Sequence, residues 1–141
     1  MKISRILSYA ILLLLPFSSF AGNVAKFGNY VVHHNVLPTN LLLPEVARAY
    51  KIKRSKNRGM VNIVVQHKGE GVKAKVTGTG TNLNSQLKHL KFQEIKDGDV
   101  IYYISSFRVT NKELINFKIK VQPAGSGKTH TIKFKKEFYT N

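Results

Sequence analysis

The chain has 141 residues, 43% hydrophobic and 21% charged, with 23 Lys and Arg against 7 Asp and Glu, a formal +16 at pH 7. That hydrophobic share is ordinary for a globular protein and excludes a disordered basic tail. Cys is absent, which excludes disulfides, thiolate metal sites and a cysteine nucleophile, and the length fits one domain.

The N-terminus reads as a leader. Lys2 and Arg5 flank the start of an apolar run from Ile6 to Phe17, broken only by Ser8 and Pro16. Ser19 and Ala21 then supply small residues where a signal peptidase reads them. The run is shorter than the roughly 18 apolar residues of a membrane-crossing helix, and no Cys is present to carry a lipid. The pattern predicts a cleaved signal peptide over 1–21 and a single mature domain over 22–141. It also predicts a periplasmic location with no membrane span after cleavage. Loss of Lys2 and Arg5 takes the net charge from +16 down by two, to +14.

Phe27 to Asn35 is the first predicted strand. Pro44 then suits a first helical position, where its missing N–H would be unpaired anyway. Glu45 favours the positive end of the helix dipole, and Val46, Ala47, Ala49 and Tyr50 complete one short helix. Beyond Gly59, apolar residues recur at period two and each run ends at turn residues. Val61, Ile63 and Val65 share one face, with Val64 the exception. Lys68-Gly69-Glu70-Gly71 is a turn, after which Val72, Ala74 and Val76 alternate with Lys73, Lys75 and Thr77. Leu90 and Phe92 alternate with Lys91 and Gln93. Asp97-Gly98 marks a hairpin, because Gly accepts positive φ. Val100 to Val109 is apolar on both faces over its first half, as in a central strand. Ile115, Phe117, Ile119 and Val121 oppose Asn116, Lys118 and Lys120. After a turn at 123–127, Ile132, Phe134 and Phe138 oppose Lys133, Lys135 and Glu137. About seven antiparallel strands with one short helix between the first two predict an all-β, immunoglobulin-like sandwich, with a small barrel as the alternative.

Several segments carry a family resemblance through their combined order. They are Phe27-Gly28-Asn29-Tyr30-Val31-Val32-His33-His34, Leu43-Pro44-Glu45-Val46-Ala47-Arg48-Ala49-Tyr50, Arg54-Ser55-Lys56-Asn57-Arg58-Gly59 and Asn62-Ile63. Gly78, Asn82-Leu83, Gln86, Ile101-Tyr102-Tyr103-Ile104 and Phe138-Tyr139 continue the series. In these the chain resembles an exported bacterial envelope family, domain of unknown function 4426. The resemblance covers nearly all of the mature chain. It implies a small exported β-sandwich and no particular activity.

Ala124-Gly125-Ser126-Gly127-Lys128-Thr129 invites a phosphate-loop reading, but the first Gly of that motif is Gln122 here and a strand follows where a helix is required. The segment reads as a hairpin turn. Of the five histidines, adjacent His33 and His34 would point to opposite faces of a strand and cannot readily chelate one ion together. The seven acids are scattered, with Asp97 and Asp99 assigned to their turn. Ser105 and Ser106 lie within a strand, lacking the strand-to-helix elbow that exposes a nucleophile.

The basic residues are the strong feature. Arg48, Lys51, Lys53, Arg54, Lys56 and Arg58 put six cations into 11 residues, with no acid after Glu45. That density attracts anions, and Tyr50 and Asn57 add hydrogen-bonding groups. The same cluster also fits a solvated loop whose charge aids solubility. Lysines alternating outward on the strands, such as Lys118, Lys120, Lys133 and Lys135, fit protection of sheet edges against aggregation. Nucleic acid is not an expected partner, since the stacking platforms of single-strand binders are not apparent. The sequence therefore predicts a non-catalytic binding or interaction module for an anionic envelope component or an acidic protein. Its candidate site is Arg48, Lys51, Lys53, Arg54, Lys56, Asn57 and Arg58, and no cofactor is expected. The alternative is an enzyme or metal-binding domain whose site forms only on folding.

Overall fold

The period-two runs become hydrogen-bonded ladders. A computed structural model describes residues 23–141; the predicted signal peptide and its cleavage point lie outside the described residues. The strands are β1 (Val24–Phe27), β2 (Tyr30–Pro38), β3 (Arg58–His67), β4 (Glu70–Gly71), β5 (Ala74–Asn82), β6 (Leu87–Leu90), β7 (Gln93–Asp97), β8 (Val100–Arg108), β9 (Glu113–Pro123) and β10 (His130–Phe138). Between β2 and β3 lie a 3-10 turn (Thr39–Leu41) and a helix, α1 (Pro44–Ala49).

One sheet runs β1-β2-β3-β8-β7, with β4 paired to the far end of β3, and the other runs β10-β9-β5-β6. Every pairing among them is antiparallel. The orders β2-β3-β8-β7 and β10-β9-β5-β6 match A-B-E-D and G-F-C-C′ of an immunoglobulin-type sandwich. The described strands number three more than the expected seven: Glu70–Gly71, within the predicted turn, adds the short β4, and the other two have local reasons. The first predicted strand is a hairpin, turning at Gly28-Asn29 where Gly28 has φ 59°. The run around Leu90 and Phe92 is two strands, because the chain leaves the four-stranded sheet after Leu90 and joins the other at Gln93.

The inter-sheet core is built from the inward faces of both sheets. Val61, Ile63, Val65 and Phe107 of one meet Ile115, Phe117, Ile119 and Val121 of the other, all buried. Tyr103 ties the layers together: its hydroxyl accepts the Ala74 N–H and donates to Glu94 Oε1, each at 2.9 Å. Burial and the Glu94 carboxylate push its phenol up to about 12, against the opposing pull of the Ala74 N–H. Aromatic stacking joins the edges, with Phe27 on His130 at 4.3 Å and His34 on Phe134 at 4.5 Å.

A second core lies on the opposite face of the larger sheet. Leu42, Val46, Ala47 and Ile52 pack there against Met60, Val64, Tyr102 and Ile104. The exceptional Val64 is thereby explained, as is the double-faced apolar character of β8. Both strands are covered on each side. Asp97, assigned to a turn from sequence, is the buried last residue of β7, and its Oδ2 accepts the Tyr50 hydroxyl at 2.9 Å. It pins the end of α1 to the sheet.

Candidate functional site

Residues 39–57 lie over the larger sheet on the apolar contacts of Leu42, Val46, Ala47 and Ile52, and polar clamps close the segment on itself. Thr39, fully buried, accepts the Ser55 N–H at 2.9 Å through Oγ1 and donates to the Ser55 carbonyl at 3.2 Å. Arg54 Nε donates to the Leu42 carbonyl at 2.8 Å and its Nη2 to that of Asn40 at 3.1 Å. Arg54 is therefore a strut that closes this segment on itself, donating from Nε and Nη2 to backbone carbonyls. Asn57 is fixed by its N–H to Ser55 Oγ (3.1 Å) and by its carbonyl, which accepts the Val109 N–H at 2.8 Å.

That last bond brings the loop against the end of β8. A cleft of about 490 Å³ opens there, at one end of the sandwich. Lys53, Ser55, Asn57 and Arg58 line one side, and Arg108, Thr110 and Asn111 the other, with Thr140 and Val109. Among the described residues, three cations and no acidic side chain line it. Arg58 and Arg108 are direct partners in the β3–β8 ladder. Like charges directly opposite across two strands are destabilising, so the pairing favours an anion placed between them. Arg58 Nη2 donates to Ser106 Oγ at 2.9 Å, which orients the guanidinium. Its Nε is buried without a hydrogen-bond partner.

Folding thus divides the predicted cluster. Lys53, Asn57 and Arg58 line the cleft; Arg54 is structural; Arg48, Lys51 and Lys56 are exposed outside it. Sequence reasoning missed Arg108, Ser55, Thr110 and Asn111. The available signal for Arg108 was strand register, since nothing local in the chain links it to Arg58.

Behind the cleft, Thr110 is anchored through its N–H to Glu113 Oε1 at 2.9 Å. Glu113 is buried, and its other oxygen accepts Asn82 Nδ2 at 2.8 Å and lies 3.5 Å from Lys88 Nζ. Burial raises its pKa, but Asn82, Thr110 and Lys88 together outweigh that and hold the carboxyl below its usual range.

The histidines are dispersed. His33 Nε2 contacts Gln66 Oε1 at 2.9 Å on one face of β2, while His34 stacks on Phe134 on the other. Burial, and secondarily the neighbouring His33, push His34 below its ordinary pKa. Among the described residues, no three His, Asp or Glu side chains gather as a metal-ligating group.

Strand order places the chain among the immunoglobulin-type sandwiches, here with a polar cleft at one end. The family model for domain of unknown function DUF4426 matches residues 24–141, and the chain belongs to that family. A crystal structure of a DUF4426 family protein from Pseudomonas aeruginosa is 33% identical, with a TM-score of 0.76, covering 86% of this chain and 99% of that one. Two structures of FetP from uropathogenic Escherichia coli are also similar. A copper-bound variant is 10% identical with a TM-score of 0.61, covering 84% of this chain and 95% of that one. FetP as isolated after recombinant expression in the periplasm of Escherichia coli is 9% identical with a TM-score of 0.59, covering 84% and 94%. At such identities the likeness is one of fold. No curated protein is significantly similar to the chain. Among the described residues, no helix is long and apolar enough to cross a membrane.

Proposed function

We propose that the protein is an exported, periplasmic, single-domain binding module whose basic cleft takes an anionic group of an envelope component or an acidic protein. The observation that carries this reading is the direct opposition of Arg58 and Arg108 across β3 and β8, beside Lys53, in a cleft lined by no acid. A carboxylate or phosphate there would relieve the repulsion and accept donors already held in place. Geometry of that kind suits capture by charge-assisted hydrogen bonds, in which Arg offers a planar fork to two oxygens.

The test is titration with inorganic phosphate and with a short acidic peptide, read by the amide shifts of Asn57 and Val109. Binding should weaken as salt shortens the Debye length from about 10 Å at 0.1 M to about 3 Å at 1 M. Replacing Lys53 and Arg108 together by Ser should abolish the shifts. Replacing Lys118 and Lys120 by Ser removes the same charge from a different surface and should leave them nearly intact. Equal loss in both double variants would show that net charge alone is at work.

A further inference from the structure

The smaller sheet turns one face to the core, and among the described residues nothing covers the other. On that outer face Lys118 and Lys120 of β9, Lys133 and Lys135 of β10 and Lys75 of β5 are all exposed. Edge protection does not account for this array. β9 is paired on both sides at Lys118 (with Lys133 and Thr79) and at Lys120 (with Thr131 and Thr77), so these two lysines guard no edge, whereas Lys75 lies on β5 before its pairing with β6 begins at Gly78. Lys118 and Lys133 are direct ladder partners, a like-charge pairing that lowers stability. Thr79 and Thr81 complete a shallow groove between them, of about 480 Å³. Among the described residues of this face, Glu137 at one corner is the acid.

A second observation lies on the same face. Leu87 of β6 is the ladder partner of Thr81 and is 53% exposed, and Leu83 in the adjoining turn is 76% exposed. Two bare leucines at the rim of a cationic sheet are unfavourable in water and serve no purpose towards a soluble polyanion. Stacking of nucleic-acid bases is poorly served here, because Phe117 is buried and Phe134, partly buried, already stacks on His34 and Phe117. Lysines attracted to an anionic lipid surface, with leucines entering the headgroup boundary, use every one of these features.

From these we infer that the outer face of the four-stranded sheet docks on an anionic lipid surface, with Leu83 and Leu87 inserted at its rim. This surface is separate from the Arg58–Arg108 cleft and does not depend on the role proposed for it. Docked this way, the molecule lies flat on the bilayer with its helix-covered sheet facing away.

The experiment is co-sedimentation of the purified protein with vesicles of phosphatidylglycerol in phosphatidylcholine, and with vesicles of phosphatidylcholine alone. Wild type should bind the anionic vesicles and not the neutral ones. Changing Lys118, Lys120 and Lys133 together to Ser should lower partitioning roughly fivefold per lysine, about 100-fold in all. The matched loss of Lys53, Lys56 and Arg108 should change it by less than about fivefold, the scale of one lysine. Leu83→Ser with Leu87→Ser should remove the fraction that resists high salt. Far-UV circular dichroism confirms that each variant is folded. Failure of wild type to bind anionic vesicles overturns the inference, as does equal loss in the two triple variants. If the leucine variant binds like wild type and soluble polyphosphate displaces all of the protein, the face takes a soluble polyanion and lipid docking is wrong.

Discussion

At Gly59 the close approach of two rings leaves no space for a side chain. A Cβ there would sit 2.7 Å from Phe138 and 2.8 Å from Phe107, and those two rings pack edge to face at 5.8 Å. Gly59→Ala is therefore expected to destabilise by about 1–3 kcal/mol, the usual cost of overpacking a core, seen as a lower urea midpoint. The change adjoins Arg58, so phosphate affinity in the same variant reports whether the cleft follows the packing. Single residues were unevenly legible from sequence. Parity alone separated His33 from His34. The hairpin at Asp97-Gly98 was legible, but that signal explains the position of Asp97 without requiring that its carboxylate be buried against Tyr50. Arg54 and Arg58 look alike in the chain, and only the carbonyls of Leu42 and Asn40 distinguish a strut from a cleft residue.

Helix α1 ends in a conformation that its sequence does not favour. Ile52 N–H bonds the Ala47 carbonyl at 2.8 Å and Lys51 N–H that of Arg48 at 3.3 Å, with Lys51 left-handed at φ 56°. This is the Schellman arrangement, which normally places Gly at the left-handed position. Lys51→Gly should stabilise the protein by about 1 kcal/mol, the scale of the left-handed penalty for a residue with a Cβ, raising the thermal midpoint. An unchanged or lowered midpoint would show that the Lys51 side chain makes a compensating contact. Elements with one wet face, β9 and β10, were readable because alternation survives there. β3 and β8 were harder, since α1 and its flanks cover their second face and erase the alternation. The Lys118 and Lys120 array was legible as a pattern. Its meaning was not, because interior and edge strands look the same until sheet order is known.

Acid should act on the whole molecule through two groups whose pKa values fall on folding. Both His34 and Glu113 bind fewer protons when folded, so each stabilises at high pH and loses that contribution as pH falls. For His34 the loss begins near 6.5, and for Glu113 near 4.5, each running down to its lowered value. Glu113→Gln should be less stable than wild type at pH 7 and show a shallower decline below 4.5, measured as urea midpoints across pH. A slope equal to wild type would assign the acid sensitivity elsewhere. The order of the larger sheet has a consequence for how the chain reaches this state. Its central strand, β3, pairs with β8, so that Met60 meets Ser106 and the ladder closes only when distant parts of the chain have met. Closing long loops before contacts reward them makes such topologies slow, with refolding in roughly milliseconds to seconds. Under the proposed export, slowness at this step would be useful: a polypeptide lacking a premature native core stays competent to be threaded across a membrane. Without Cys, folding after such export would rest on strand pairing and the two apolar cores and would need no oxidant.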